Sequence, residues 1–198
     1  LPDKMGWDKS RIKPEIDVII LGMHARNDNP ELVEARETGI DIKSFPEFLY
    51  KETKDKKRVV VGGSHGKTTI TAVIMHVLKY ANRDFDYVVG AHLDGFNNIV
   101  RLSDAPIIII EGDEYFSSAM DRTPKFLKYK HHIGLISGIA WDHINAYKTV
   151  DEYVKQFEIF ADSTPKGGTL IFCEEDDMAM VIASNQRTDV VQLHYPVH

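Results

Sequence analysis

The chain has 198 residues, of which 43% are apolar and 27% charged, and its formal net charge is −6. That length supports one sizeable core plus a smaller unit, and the charge argues against a general nucleic-acid binder, which needs a positive field over its surface. The apolar runs Ile107–Ile110 and Val59–Val61 fall far short of the roughly 18 residues that span a bilayer. The polar opening "LPDKMGWDKSR" shows no export signal, and the lone Cys173 excludes an intrachain disulfide and suits a reducing interior. The expectation is therefore a cytoplasmic protein with no membrane and no nucleic-acid partner.

Taken in order, apolar runs of strand length alternate with helical patterns, the signature of an α/β fold with a mostly parallel sheet and flanking helices. Asp17–Gly22 reads as a strand. Asn29 and Pro30 start a helix to about Thr38, which Gly39 ends. Ile40–Lys43 is a short strand, and Ser44 caps a helix from Phe45 that fades into "KETKDKKR" at 51–58. That run reads as a solvated linker, with a basic patch for a phosphorylated ligand as the alternative. Beyond it come strand Val59–Gly62, helix Lys67–Tyr80, strands Asp86–Gly90 and Pro106–Glu111, and paired short strands near Lys125–Tyr129 and Ile133–Ser137. Helix Val150–Asp162, strand Gly168–Cys173, helix Asp176–Ser184 and strand Asp189–His194 complete the series. Residues 1–54 supply only two strands and two helices, and read as the tail of a domain.

The stretch "VVVGGSHGKTT" runs an apolar strand into a glycine-rich bend and then a helix. Gly63, Ser64, His65, Gly66 and Lys67 would turn backbone N–H groups into one concavity at a helix N-terminus, a place that favours phosphate. Lys67 would reach the β- and γ-phosphates, and Thr68 would offer its hydroxyl to Mg²⁺. The common loop GxxxxGK[ST] would need glycine at 61, where this chain has Val61. A tight connection without a ligand is the alternative, and Lys67 argues against it. His65 either supports the loop or satisfies a backbone carbonyl.

"APIIIIEGDEY" delivers Glu111, Asp113 and Glu114 at the carboxyl end of a buried strand, the edge where ligands sit in open α/β sheets. Oxygen ligands there suit Mg²⁺. Asp113 and Glu114 are equally readable as a solvated turn, whereas Glu111 directly follows four isoleucines. "IGLIS" leads to Asp142 and His143 at another carboxyl end, where His143 could complete a second metal position or simply pack beside Trp141.

"GGSHGKTT", "EGDEY" and "WDH" together resemble the Mur ligase superfamily of ATP-dependent amide-forming enzymes. "LGMHARNDNPELVEARETGIDIKSFPEFL" resembles the end of the UDP-sugar-binding domain in the branch that acts on UDP-N-acetylmuramate. The resemblance implies a P-loop NTPase-like central domain over 55–198, preceded by the end of a Rossmann-like domain over 1–54, with the carboxyl-terminal domain absent. It makes Gly63, Ser64, His65, Gly66, Lys67, Thr68 and Thr69 the ATP loop. Thr68, Glu111 and His143 become Mg²⁺ contacts, with Lys67, Glu111 and His143 catalytic, and Asn97 and Asn98 would face the sugar nucleotide. The muramate carboxylate would attack the γ-phosphate, and the resulting acyl phosphate would be captured by an amine.

"EGDEY" followed by "DRTPKF" is closer to the members that attach L-alanyl-γ-D-glutamyl-meso-diaminopimelate than to those that add L-alanine. Gly138 and Ala140 stand where relatives carry an asparagine and an acid. Phe157 stands where some carry a carbamylated lysine, so no such modification is expected. A small-molecule kinase and a nucleotide-binding module without catalysis are the rival readings.

Overall fold

The computed structural model describes residues 6–23 and 25–196. The ends of the expected 1–54 and 55–198 units, and His24 within the sugar-binding-like stretch, lie outside the described residues.

The first unit pairs two parallel strands, β1 (Val18–Leu21) and β2 (Asp41–Ser44), in register from Val18 opposite Asp41. Helix α1 (Pro30–Thr38) connects them. It starts where Asn29 accepts the N–H groups of Glu31 and Leu32 through its side chain, at 2.9 and 3.1 Å, so donors that no helical carbonyl can reach are satisfied. It ends at Gly39, whose φ of 72° is the left-handed cap that glycine adopts without strain. Helix α2 (Phe45–Thr53) follows at once, with Glu47 Oε2 accepting from the Ser44 N–H at 2.9 Å. Leu21, Ala25 and Leu32 form a small core of their own, backed by Ile42.

The second unit is a seven-stranded sheet in the order β5-β4-β6-β3-β7-β8-β9. Its strands are β3 (Lys57–Gly62), β4 (Asp86–Val88), β5 (Val100–Arg101), β6 (Ile107–Glu111), β7 (Ile133–Ile136), β8 (Thr169–Cys173) and β9 (Val191–Tyr195). Every pairing is parallel except β5 on β4. Helices α3 (Lys67–Tyr80), α4 (Lys125–Lys128), α5 (Val150–Asp162) and α6 (Asp177–Ser184) complete it.

Alternation along the central strands divides the core between the two faces of the sheet. Val60, Ile108, Ile110 and Ile136 pack with Leu49, Phe126, Tyr153, Phe157 and Phe160, whereas Ile109, Tyr87 and Val89 pack with Met75 of α3. Strand β3 lies between β6 and β7, pairing Val61 with both Glu111 and Leu135. The loops after these three strands therefore leave the same edge side by side, where a doubly wound sheet holds its ligands.

The sequence expectations differ from the structure at three places. Lys125–Tyr129 is not a strand paired with Ile133–Ser137 but the one-turn helix α4, entered through Pro124 and anchored by Phe126, which is fully buried and stacked on Phe160 at 4.8 Å. Strand β5 was not expected. The "KETKDKKR" run is not a solvated linker throughout. Helix α2 continues to Thr53, and Arg58 is buried, donating to the carbonyls of Thr53, Lys54, Lys56, Tyr129 and Lys130 at 2.8–3.1 Å. Five carbonyl acceptors offset the cost of burying that guanidinium.

Among the described residues, no helix is long and apolar enough to cross a membrane. Cys173 is buried, and Phe157 is a fully buried core residue edge-on to Phe126 and Tyr153.

Candidate active site

The glycine bend forms as its residue types dictate. Gly63 has φ 131° and Gly66 φ 78°, conformations that side chains disfavour, and between them the chain turns from β3 into α3. The bend is fixed to the β7 loop. The Ser64 N–H donates to the Gly138 carbonyl at 2.9 Å, the Ser137 N–H to Gly62 O at 3.0 Å, and Ser137 Oγ to His65 O at 2.6 Å. Ser64 Oγ also accepts from the Ala140 N–H at 2.8 Å. Gly138, with φ 149°, lies against Asp176, whose carboxylate accepts the Ile139 N–H at 2.9 Å.

Lys67, at the first turn of α3, folds its ammonium back over the bend, donating to Gly63 O at 2.6 Å. Thr68 donates to Glu111 Oε1 at 2.9 Å, and the other oxygen of Glu111 accepts the Gly90 N–H at 2.8 Å. Thr69 and the His65 residue are exposed.

The acidic run separates into three carboxylates with different surroundings. Glu111, half-buried at the end of β6, meets Thr68. Asp113 is tied sideways, with Oδ1 accepting the Tyr115 N–H at 2.8 Å and Oδ2 paired with Lys125 at 2.5 Å. Burial pushes its pKa up, but the bonds from Lys125 and the Tyr115 N–H, with the Lys125 and His143 charges, hold it below the ordinary value.

Glu114 is fully buried and points at the bend. Its Oε2 lies 3.0 Å from Lys67 Nζ, its Oε1 accepts from Lys67 at 3.3 Å and from the Tyr153 hydroxyl at 3.2 Å, and His143 Nε2 stands 3.2 Å from the same oxygen. Tyr153 also shares a 2.7 Å hydrogen bond with Ser64. Burial, with the nearby Glu114 charge, pushes the Tyr153 hydroxyl pKa upward despite its bond to Ser64.

The structure thus brings Gly63, Ser64, Gly66, Lys67, Thr68, Glu111 and His143 to one edge. Asn97 and Asn98 do not join them. They line a separate hollow with Lys79, Arg83, Phe96 and Arg101, on the flank of α3. Sequence reasoning missed Tyr153, which lies within the expected helix Val150–Asp162, and did not separate Glu114 from a solvated turn.

A cavity of about 430 Å³ opens beside Lys67, Glu111, Asp113 and Lys125, and is walled on its other side by Ile20, Leu21, Met23 and Phe45 of the first unit. The donor set fits a hard divalent cation. Thr68 and Glu111 present oxygen atoms together, and one ligand atom each from Asp113, Glu114 and His143 lie within 4.8 Å of one another. The glycine bend, with the lysine at its rim, fits the phosphates of a nucleotide.

The chain is also similar to known proteins. Residues 61–196 match the Mur ligase middle domain. The UDP-N-acetylmuramate–L-alanine ligase of Clostridium botulinum (strain Langeland) is 35% identical over 188 residues, 94% of this chain and 39% of that protein. The enzyme of the same name from Clostridium tetani is 36% identical over 182 residues, 91% of this chain and 38% of its own length. The chain therefore spans about two fifths of the curated relatives it matches.

Among solved structures, UDP-N-acetylmuramate:L-alanyl-gamma-D-glutamyl-meso-diaminopimelate ligase from Neisseria meningitides superposes with a TM-score of 0.85 at 20% identity, over 98% of this chain and 62% of that one. The UDP-N-acetylmuramate-alanine ligase of Thermotoga maritima gives 0.70 at 22%, over 96% and 41%. Those likenesses concern the fold, and the family rests on the matched domain and the sequence relatives. The chain belongs to the Mur ligase family.

Proposed function

We propose that this protein is an ATP-dependent ligase that forms an amide at the carboxylate of UDP-N-acetylmuramate, releasing ADP and phosphate. One observation carries the reading: Lys67, the Thr68–Glu111 pair and His143 converge on one sheet edge, beside a cavity that the first unit helps to wall. A carboxylate resists attack by an amine because oxide is a poor leaving group. ATP would supply the phosphoryl group that changes this, and Mg²⁺ the positive charge that lets two anions approach.

The residues of the chain position and neutralise. The N–H groups of the bend would cradle phosphate oxygens, and Lys67 would balance charge developing on the transferred group. Thr68 and Glu111 would hold one cation, and His143 with the neighbouring carboxylates a second. The apolar wall of Ile20, Leu21 and Phe45 would limit water at the reacting carboxylate.

The finer reading is that the amine is L-alanyl-γ-D-glutamyl-meso-diaminopimelate. It is supported by "EGDEY" with "DRTPKF", whose Lys125 sits on the cavity wall. Ligation of L-alanine is favoured instead by the names of the 35–36% identical relatives. Incubating the full-length protein with UDP-N-acetylmuramate, ATP and each amine in turn, and following phosphate release and the nucleotide-sugar product, separates the two. Lys67→Ala is expected to lower turnover by about 10²–10³-fold with the fold retained. Near-normal ligation by that variant would remove the bend from the mechanism.

A further inference from the structure

We propose that Glu114 is a positioning residue of this site: one buried carboxylate that fixes the Lys67 ammonium and the His143 imidazole relative to each other. This rests on the ligase reading above and adds a role to a carboxylate of the Asp113–Glu114–His143 group. Of the three acids in the run, only Glu114 has the geometry. Both oxygens of Glu111 are engaged by Thr68 and the Gly90 N–H, and both of Asp113 by the Tyr115 N–H and Lys125. Glu114 alone reaches Lys67 at 3.0 Å and His143 at 3.2 Å.

It is held from both ends. The Tyr147 hydroxyl donates to its backbone carbonyl at 2.5 Å, and the Tyr153 hydroxyl to its Oε1 at 3.2 Å, while the two rings pack edge to face at 5.3 Å. Through Tyr153 the carboxylate is also linked to Ser64 of the phosphate bend. Loops after β3, β6 and β7 meet at this one side chain, so their registry depends on it. A fully buried charge persists only where partners of this kind surround it.

Glu114→Gln keeps the shape and removes the charge. Taking a carboxylate away from Lys67 does not weaken binding of an anion, so ADP affinity, measured by calorimetry, is expected to stay within threefold or to tighten. Turnover by the full-length protein is expected to fall at least thirtyfold, because the lysine and imidazole lose their common anchor. Tyr153→Phe, which retains the ring, is expected to cost about fivefold, and to add nothing when combined with Glu114→Gln, since the hydroxyl acts through the carboxylate. Turnover of Glu114→Gln within threefold of wild type overturns the proposal. So does a loss of ADP affinity equal to the loss of turnover, which marks a merely structural role, and so do additive effects in the double variant. A wild-type protein that makes no amide from UDP-N-acetylmuramate would instead sink the ligase reading.

Discussion

At the residue scale, the two left-handed glycines of the bend do different work. A Cβ on Gly63, at φ 131°, would stand 2.0 Å from Ser137 Oγ and 3.1 Å from its Cβ. Ser137 cannot withdraw cheaply, because its N–H and hydroxyl hold Gly62 and His65. A Cβ on Gly66, at φ 78°, meets nothing closer than Ile70 Cδ1 at 3.9 Å, so alanine there incurs only the left-handed strain of roughly 1–2 kcal/mol. Gly63→Ala is expected to lower the thermal midpoint well beyond Gly66→Ala; equal losses would show that the contact with Ser137 is not what demands glycine. The bend, Lys67 and Thr68 were legible in the sequence because glycine and lysine at a strand-to-helix turn have few other uses. Glu114 was not. Three acids within four positions carry no mark of which one turns inward, and the tyrosines that receive it lie more than thirty residues on.

At the element scale, the long strands and helices followed their hydrophobic periods, whereas α4 did not, because four residues are too few to display any period. The turn after α4 sets a histidine into the core. His131 is 2% exposed, lies tilted against Phe160 with ring centroids 4.1 Å apart and meets Thr164 Oγ1 through Nε2 at 2.9 Å. Burial, with the charges of His132 and Arg58, pulls its pKa down to about 3. Between about pH 3 and 6.5 the unfolded chain thus binds a proton that the folded chain excludes. The contribution of His131 is complete above about 6.5 and is lost as pH falls towards 3, at about 1.4 kcal/mol per pH unit. Urea unfolding at pH 6.5 and 4.5 checks this. His131→Gln, which retains a partner for Thr164, is expected to show a shallower loss on acidification than wild type, and parallel losses would mean that His131 titrates normally.

At the scale of the whole molecule, chain order and packing disagree about where the first unit ends. The sequence suggests a boundary after residue 54, in a lysine-rich run that resembles a connector. The side chains divide earlier. Leu49 of α2 is 1% exposed and belongs to the main core with Phe126 and Tyr153, backed by Phe45, whereas Leu32 of α1 belongs to the small cluster under β1 and β2. Lys128 of α4 adds a tie across the same contact, pairing with Glu47 of α2 and with Asp121. That half-buried, solvent-reached pairing contributes little beside the buried leucine.

Helix α2 should therefore unfold with the larger sheet, leaving β1, α1 and β2 as the piece able to loosen separately. Leu49→Ala leaves a cavity in the main core and is expected to destabilise the larger body by about 2–5 kcal/mol, whereas Leu32→Ala should leave that transition in place. Trp141 lies in the larger body and Trp7 in the smaller, so single-tryptophan variants, Trp7→Phe and Trp141→Phe, report each in turn. If urea titration at Trp141 shifts equally for both leucine variants, the two clusters form one cooperative core and α2 carries no special allegiance. If it shifts for Leu49→Ala alone, the wall that α2 lends to the cavity through Phe45 is built into the larger body itself.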